Sequence, residues 1–178
     1  MVKAIEPEVA WQPTGVPVAE GLPWPQDKSV CGRIAERARD LVLARLFSRP
    51  ETTKPLAGNL VSEPLDSVYV TVYLNGQLRG CMGAAANNLD DDVRRLAPAA
   101  LADARFEAQV PVEPSAVAVT VSLLYNPLEI GELLPEEVVP YYRHGQQTLM
   151  VYRGDRLGLL LPLWPQRITS IVRIFLVP

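Results

Sequence analysis

The sequence predicts an α/β (α+β) fold, in which helices pack on an antiparallel sheet beside a smaller lobe. Two segments carry apolar residues at helical spacing, and several segments alternate apolar and polar residues as half-buried strands do. An Asn-Gly pair joins two of the alternating segments, which is a hairpin signal. With 178 residues, 48% of them hydrophobic, the chain is long enough for one domain with a core.

The domain is preceded by a proline-rich leader over residues 1–28. Proline fixes φ and lacks an N–H donor, so we predict an extended leader without a folded element. The folded domain then covers residues 29–178, with a main lobe at 29–126, a smaller lobe with a late hairpin at 127–165, and a tail at 166–178. The prolines of the leader are Pro7, Pro13, Pro17, Pro23 and Pro25.

Two helices are predicted in the main lobe. The first runs from about Lys28 to Phe47, and the second from about Leu89 to Ala104. Three aspartates, residues 90–92, open the second helix, and they either complement its positive dipole end or form a metal site. Pro98 lies on the polar face of that helix and is expected to kink it.

Strands are predicted at Ser67 to Leu74, at Gln77 to Gly83, and from Ala116 to Tyr125, where Asn126-Pro127 ends the last one. A late hairpin turns near Gly154-Asp155. The tail, "QRITSIVRIFLVP", fits a helix by its spacing and a strand by its β-branched residues.

The register of the first hairpin decides what surrounds Cys81. We predict a three-residue loop with Gly76 in a bulge, because this loop pairs apolar residues with apolar residues on one face. It pairs Tyr73 with Gln77, Thr71 with Arg79 and Tyr69 with Cys81. The opposite face then carries these polar and aromatic side chains together with the thiol.

Candidate chemistry centres on Cys81. A nearby cation favours thiolate, so Arg79 would activate Cys81 as a nucleophile. Gly80 and Gly83 would let a ligand or backbone approach closely. Three roles stay open for Cys81: a nucleophile, a ligand contact without covalent chemistry, and a small buried residue. The only histidine, His144, would be the only imidazole base.

Bulk properties exclude several function classes. The net charge of −3 offers no basic field for nucleic acid or an anionic membrane surface. Two cysteines are too few for a standard Fe–S cluster, and a single histidine argues against a structural zinc site. Because the dipole role of residues 90–92 is the favoured one, we expect no metal and no cofactor. The N-terminus lacks an apolar signal region, and the longest apolar stretch is about nine residues against the ~20 of a spanning helix. We therefore expect a cytoplasmic protein.

Three sequence blocks in order, "LRGCMG" from Leu78, "ALADARF" from Ala100 and "VSLL" from Val121, resemble the AMMECR-one domain family. The resemblance covers about residues 30–162 and implies a two-lobed fold with a cleft. The motif positions that it implies are Leu78, Arg79, Gly80, Cys81, Gly83, Asp103, Arg105 and Phe106, and His144 matches more loosely. The family has a further C-terminal region, so we expect the smaller lobe to be shortened or incomplete and the tail to be unmatched.

The resemblance also implies an association. Bacterial and archaeal relatives occur in the AmmeMemoRadiSam system, with a Memo-type protein and a radical SAM protein. We therefore interpret the chain as a binding module for one of these proteins or a small ligand, using Arg79, Gly80, Gly83, Asp103, Arg105, Tyr69 and Tyr73. The alternative is a cysteine-dependent enzyme on a small anionic substrate, with Cys81 and His144 catalytic. Asp103 and Arg105 either orient a substrate or form an ion pair at a helix end.

Overall fold

The computed structural model describes residues 28–58, 60, 64–107, 113–133, 147–153, 156–160 and 168–176. The predicted leader over residues 1–28 and His144 therefore lie outside the described part, except for Lys28. Within it, the order of elements is α1 (Lys28–Leu46), β1 (Leu65–Leu74), β2 (Gln77–Ala85), α2 (Leu89–Leu101), β3 (Val117–Leu133), β4 (Gln147–Arg153), β5 (Arg156–Leu160) and β6 (Ile168–Leu176). A short 3-10 turn, Pro114–Ala116, precedes β3.

Within the described residues, the strands form one six-stranded sheet in the order β2-β1-β3-β6-β4-β5. Three of its five pairings are antiparallel, and β6 lies parallel to both of its neighbours, β3 and β4. The predicted fold class is confirmed, and the tail, ambiguous in sequence, forms a strand. Its β-branched residues suit a strand that is hydrogen-bonded on both sides.

Both helices contribute to one hydrophobic cluster on one face of the sheet. Alternate residues of β1 meet alternate residues of β3 there, because Val70 pairs with Val121 and Val72 with Val119. The fully buried members of this core are Ala38, Val42, Val68, Val70, Val72, Val93, Ala97 and Ala100. A second cluster, Leu124 and Met150 with Tyr69, Tyr152 and Leu159, joins β3 to β4 and β5.

The third strand is longer than predicted. The expectation that Asn126-Pro127 ends it is wrong, because β3 continues to Leu133. Its pairing with β6 shifts register between Tyr125 and Leu128, so Pro127 lies at an irregular step. An irregularity of this kind tolerates the missing N–H of a proline.

The two helices begin where the sequence predicts, but α2 ends three residues early. The N–H of Ala102 donates to the Pro98 and Ala99 carbonyls, and the chain then turns so that Asp103 reaches β2. Pro98 lies inside α2. At the other end, the side chain of Asn88 caps the helix by accepting from the N–H groups of Asp90 and Asp91.

Buried charges tie the loop after α1 to the helices. Arg37 donates to the carboxylate of Asp90 at 3.1 Å. Asp40 accepts hydrogen bonds from the backbone N–H and the hydroxyl of both Thr52 and Thr53. Burial alone would raise the pKa of Asp40, but these hydrogen bonds hold it well below its usual range. The network fixes this loop against the helix side of the sheet.

Candidate functional site

The first hairpin turns through Asn75 and Gly76, and the predicted three-residue loop is wrong. Leu74 pairs with Gln77 and Tyr73 with Leu78. Both turn residues have positive φ, 51° and 75°, as a two-residue type I′ turn requires. This turn matches the twist of the flanking strands, so the loop needs no bulge.

The bulge lies inside β2 instead. Tyr73 pairs with Leu78 and Val72 with Gly80, which leaves Arg79 as the extra residue. Cys81 therefore pairs with Thr71, and the predicted pairing of Cys81 with Tyr69 is wrong. The shift is two residues, and a shift of two keeps each side chain on its face. Cys81 consequently still shares a face with Tyr69 and Thr71, as predicted.

This face, which we call the hairpin face, consists of Tyr69, Thr71, Tyr73, Cys81 and Gly83. It is turned away from the face on which the helices pack. Tyr69, Tyr73 and Cys81 are half-buried, and Thr71 is buried. Burial raises the pKa of Tyr73, and the Cys81 thiolate, where it has formed at alkaline pH, raises it further.

The two glycines of the motif, Gly80 and Gly83, allow close packing on opposite faces of β2. A side chain at Gly80 would overlap the carbonyl oxygen of Ala100, so Gly80 lets the end of α2 lie directly on β2. A side chain at Gly83 would overlap the ring of Tyr69, which covers this glycine from the neighbouring strand. Both positions are thus explained by packing in the described structure.

The thiol of Cys81 is held in its neutral form. Burial raises the pKa of this thiol, and Asp103 raises it further. The Thr71 hydroxyl, which donates to Sγ at 3.2 Å, and the charge of Arg105 lower the pKa only in part. The sequence places Thr71 on the same face as Cys81, but the predicted register pairs it with Arg79, so this hydrogen bond was not predicted.

The backbone of Cys81 is fixed from outside the sheet by the turn after α2. Its N–H donates to Asp103 Oδ2 at 3.1 Å, and its carbonyl accepts from Arg105 Nη2 at 2.7 Å. Asp103 and Arg105 also form a two-pronged ion pair, at 2.7 Å and 3.0 Å. We call Asp103 and Arg105, together with the Cys81 backbone, the edge clamp. The sequence left two roles open for Asp103 and Arg105, substrate orientation and an ion pair at a helix end. In the structure they form the ion pair.

The turn that carries the edge clamp also binds Arg79. Arg79 Nη1 donates to the carbonyl of Asp103 at 2.9 Å and more weakly to that of Phe106 at 3.4 Å. The cation that lowers the pKa of Cys81 is therefore Arg105, rather than Arg79 as predicted. The hydrogen bond and charge of Arg105 hold the pKa of the Asp103 carboxyl well below its usual range.

Metal and membrane alternatives gain no support from the described residues. No group of three or more histidine, cysteine, aspartate or glutamate side chains there is placed to hold a metal ion. Two of the three aspartates that open α2 accept hydrogen bonds from protein N–H groups instead, Asp90 from Leu56 and Asp92 from Asn87. None of the helices described is long and apolar enough to cross a membrane.

Comparison with known proteins identifies the family. A family model described as AMMECR1 matches residues 35–174, which include the hairpin and the edge clamp. The chain belongs to the AMMECR1 family. The match includes residues 166–174 and therefore most of β6. The expectation that the tail over residues 166–178 has no counterpart in the family is therefore wrong for this part.

Archaeal relatives support this AMMECR1 assignment. A protein of Thermofilum pendens is 30% identical over 145 residues, which cover 73% of this chain and 66% of that protein. Proteins of Methanothermobacter thermautotrophicus and Methanococcoides burtonii are 35% and 36% identical over 98 and 101 residues. These segments cover 53% and 55% of the chain, and 51% and 50% of the relatives. The chain therefore spans about half the length of these two relatives.

A solved structure has a similar fold. The uncharacterized protein PH0010 from Pyrococcus horikoshii superimposes with a TM-score of 0.55 and is 27% identical. The superposition covers 77% of this chain and 71% of that protein. The chain is thus an AMMECR1 domain whose activity these relatives do not name.

Proposed function

We propose that this AMMECR1 domain is a binding module whose hairpin face contacts a partner protein or a small ligand. The observation that carries the proposal is the combination of a clamped backbone and a neutral thiol at Cys81. The edge clamp engages both backbone groups of Cys81, so the face beside it is rigid. A rigid surface loses little conformational entropy on binding, and tyrosines such as Tyr69 and Tyr73 are enriched in binding hot spots.

The partners that the family resemblance favours are a Memo-type protein and a radical SAM protein. We propose that the chain acts beside them in the cytoplasm as a regulator or adaptor. An acidic chain with a rigid aromatic face suits binding to a protein better than binding to nucleic acid.

The second candidate is the cysteine-dependent enzyme. One observation favours it: the Thr71 hydroxyl donates to the Cys81 sulfur, which stabilises a thiolate. It requires a base, for which His144 is the candidate, and a small anionic substrate held by Arg105. The raised pKa of Cys81 makes the binding module the better account.

The test is a titration of the purified chain with the Memo-type and the radical SAM protein from the same genome. We expect one of them to bind with micromolar or better affinity, and Tyr73→Ala to weaken binding about 30-fold, or ~2 kcal/mol. Phe47→Ala removes an exposed aromatic just after α1 and serves as the matched control. If neither protein binds, the proposed association with these two proteins is wrong. If Tyr73→Ala and Phe47→Ala behave alike, the hairpin face is not the binding surface.

Cys81→Ser separates the two candidates. A binding module keeps most of its affinity, because serine preserves the size and the backbone bonds of the residue. A cysteine-dependent enzyme loses turnover completely, because the nucleophile is gone.

A further inference from the structure

The outer edge of β2 ends the described sheet, and its backbone groups alternate in direction. The N–H of Ala86 donates to the carbonyl of Asp66 on the β1 side, at 2.9 Å. Residues two apart in a strand point their backbone groups the same way, so Ala84 and Ala86 face β1. Cys81, Gly83 and Ala85 therefore direct their N–H and carbonyl groups away from the sheet.

Of Cys81, Gly83 and Ala85, only Cys81 has its outward backbone groups hydrogen-bonded to described residues. The edge clamp satisfies the N–H and the carbonyl of Cys81. Gly83 and Ala85 are exposed, and no described residue forms a hydrogen bond with their outward groups. Most edge strands are blocked by charges, proline or bulges, but "MGAAA" from Met82 contains none of these.

The covered end of this edge carries positive charge. Arg79 forms no ion pair with a described residue and donates only to backbone carbonyls. Arg105 is paired with Asp103 but keeps 67% of its side chain exposed. Two guanidinium groups against one carboxylate leave a net charge of +1 beside Cys81. Met82, also exposed, adds an apolar side chain between the clamp and the open positions.

We propose that an extended segment of a partner protein adds to β2 as a further strand, hydrogen-bonded to Gly83 and Ala85. Outward N–H and carbonyl groups on alternate residues are complementary to an extended backbone and to little else. Two residues beyond the partner of Gly83, the segment reaches the edge clamp, which already occupies the backbone groups of Cys81, so the added ladder ends there. There it carries an acidic side chain, which meets the exposed guanidinium of Arg105.

The edge lies beside the hairpin face, and a segment can bind it whether or not the hairpin face binds a ligand. Gly83 has no side chain and Ala85 has only a methyl group, so neither residue blocks the approach of an added strand to the edge. The occupant is thus a β-strand-forming, acidic segment rather than a helix, a nucleic acid or a metal ion.

A library of random 12-residue peptides displayed on phage is the probe. We expect selection against the full chain to enrich peptides that alternate apolar residues and carry an acidic residue. A selected peptide, made synthetically, should slow hydrogen exchange of the Gly83 and Ala85 amides at least 10-fold. Replacing its acidic residue by the amide should weaken binding about 10-fold. Failure to enrich any such peptide overturns the proposal.

Ala85→Pro tests the edge directly, because it removes an outward N–H without touching the ladder to β1. We expect it to weaken peptide binding at least 10-fold, whereas Ala85→Val, which keeps the N–H, binds as the native chain does. The same comparison can be made on the peptide: N-methylation of the residues paired with Gly83 and Ala85 should abolish binding, and methylation of the residue between them should not. This second comparison holds even if Ala85→Pro does not fold.

Two further results would overturn the proposal. One is a peptide that binds native chain, Ala85→Pro and Ala85→Val equally. The other is a dimer of the chain alone in analytical ultracentrifugation that Ala85→Pro dissociates, since the edge would then pair with a second copy. If the chain alone is a monomer under the same conditions, the result supports a segment of a different protein as the added strand.

Discussion

Cys81 combines a well-ordered backbone with a thiol that resists ionisation. Burial has the largest effect on its pKa and raises it, and the hydrogen bond from Thr71 then lowers it. The charges of Arg105 and Asp103 follow and act in opposite directions, Arg105 downward and Asp103 upward. Because Asp103 is itself paired with Arg105, the clamp that orders the backbone supplies little net charge to the sulfur. A residue placed in this way contributes shape and polarity to a surface more than reactivity.

We predict that Cys81 alkylates more slowly than a free cysteine at pH 8. The pH dependence of its reaction with iodoacetamide, measured in a Cys31→Ala background, should give a pKa above the ordinary value of about 8.5. Thr71→Val removes the hydrogen bond that favours thiolate, so this variant should raise the pKa further. A pKa below about 8.5, or no rise in Thr71→Val, would contradict the structure.

At the scale of elements, β2 and α2 are joined through Gly80. The carbonyl of Ala100 lies where a side chain at this position would be, and the helix must move away to accept one. A side chain at Gly80 would be poorly tolerated, because the backbone carbonyl of Ala100 cannot rotate away as the end of a flexible side chain could.

Gly80→Ala should therefore destabilise the chain by about 1–3 kcal/mol in urea unfolding. Gly32→Ala is the matched control. Gly32 lies in α1 with open space around its Cα, so alanine there should stabilise the helix by about 0.5–1 kcal/mol. Equal effects of the two substitutions would show that α2 does not rest on Gly80.

Local signals were enough to predict the helices and the existence of the hairpin. Apolar spacing placed α1 and α2, and Asn75-Gly76 placed the turn. The alternation of valines in β1 also placed Cys81 on its face. The bulge at Arg79 was not predictable in this way, because it depends on carbonyls of the turn after α2, more than 20 residues further along the chain. The strand character of the tail likewise depends on β3 and β4, which flank it.

For the molecule as a whole, two buried carboxylates link stability to pH. The pKa values of Asp40 and Asp103 are both lower in the folded chain than in the unfolded chain. The unfolded state consequently binds more protons at acid pH, so this stabilisation is fully present above about pH 4 and is lost as the pH falls further.

We expect the free energy of unfolding to fall steadily from about pH 4 to pH 2. Asp40→Asn should lower stability at pH 7 and flatten this decline, because it removes one of the two linked groups. Asp91→Asn is the control, since Asp91 is exposed and its carboxylate accepts no hydrogen bond from a described residue. Urea midpoints from pH 2 to 7 provide the measurement; an unchanged decline in Asp40→Asn would exclude the buried network as its cause.

The length of β3 has a consequence for synthesis on the ribosome. Its first half finds its partner at once, because β1 has already emerged when β3 does. Its second half waits for β6: Leu123 pairs with Ile168, 168 − 123 = 45 residues later. At about 5–20 residues per second, that gap exposes half a strand for several seconds. During this interval the second half of β3 has unpaired backbone groups and is prone to aggregation, so we expect chaperones to bind the nascent chain at this stage.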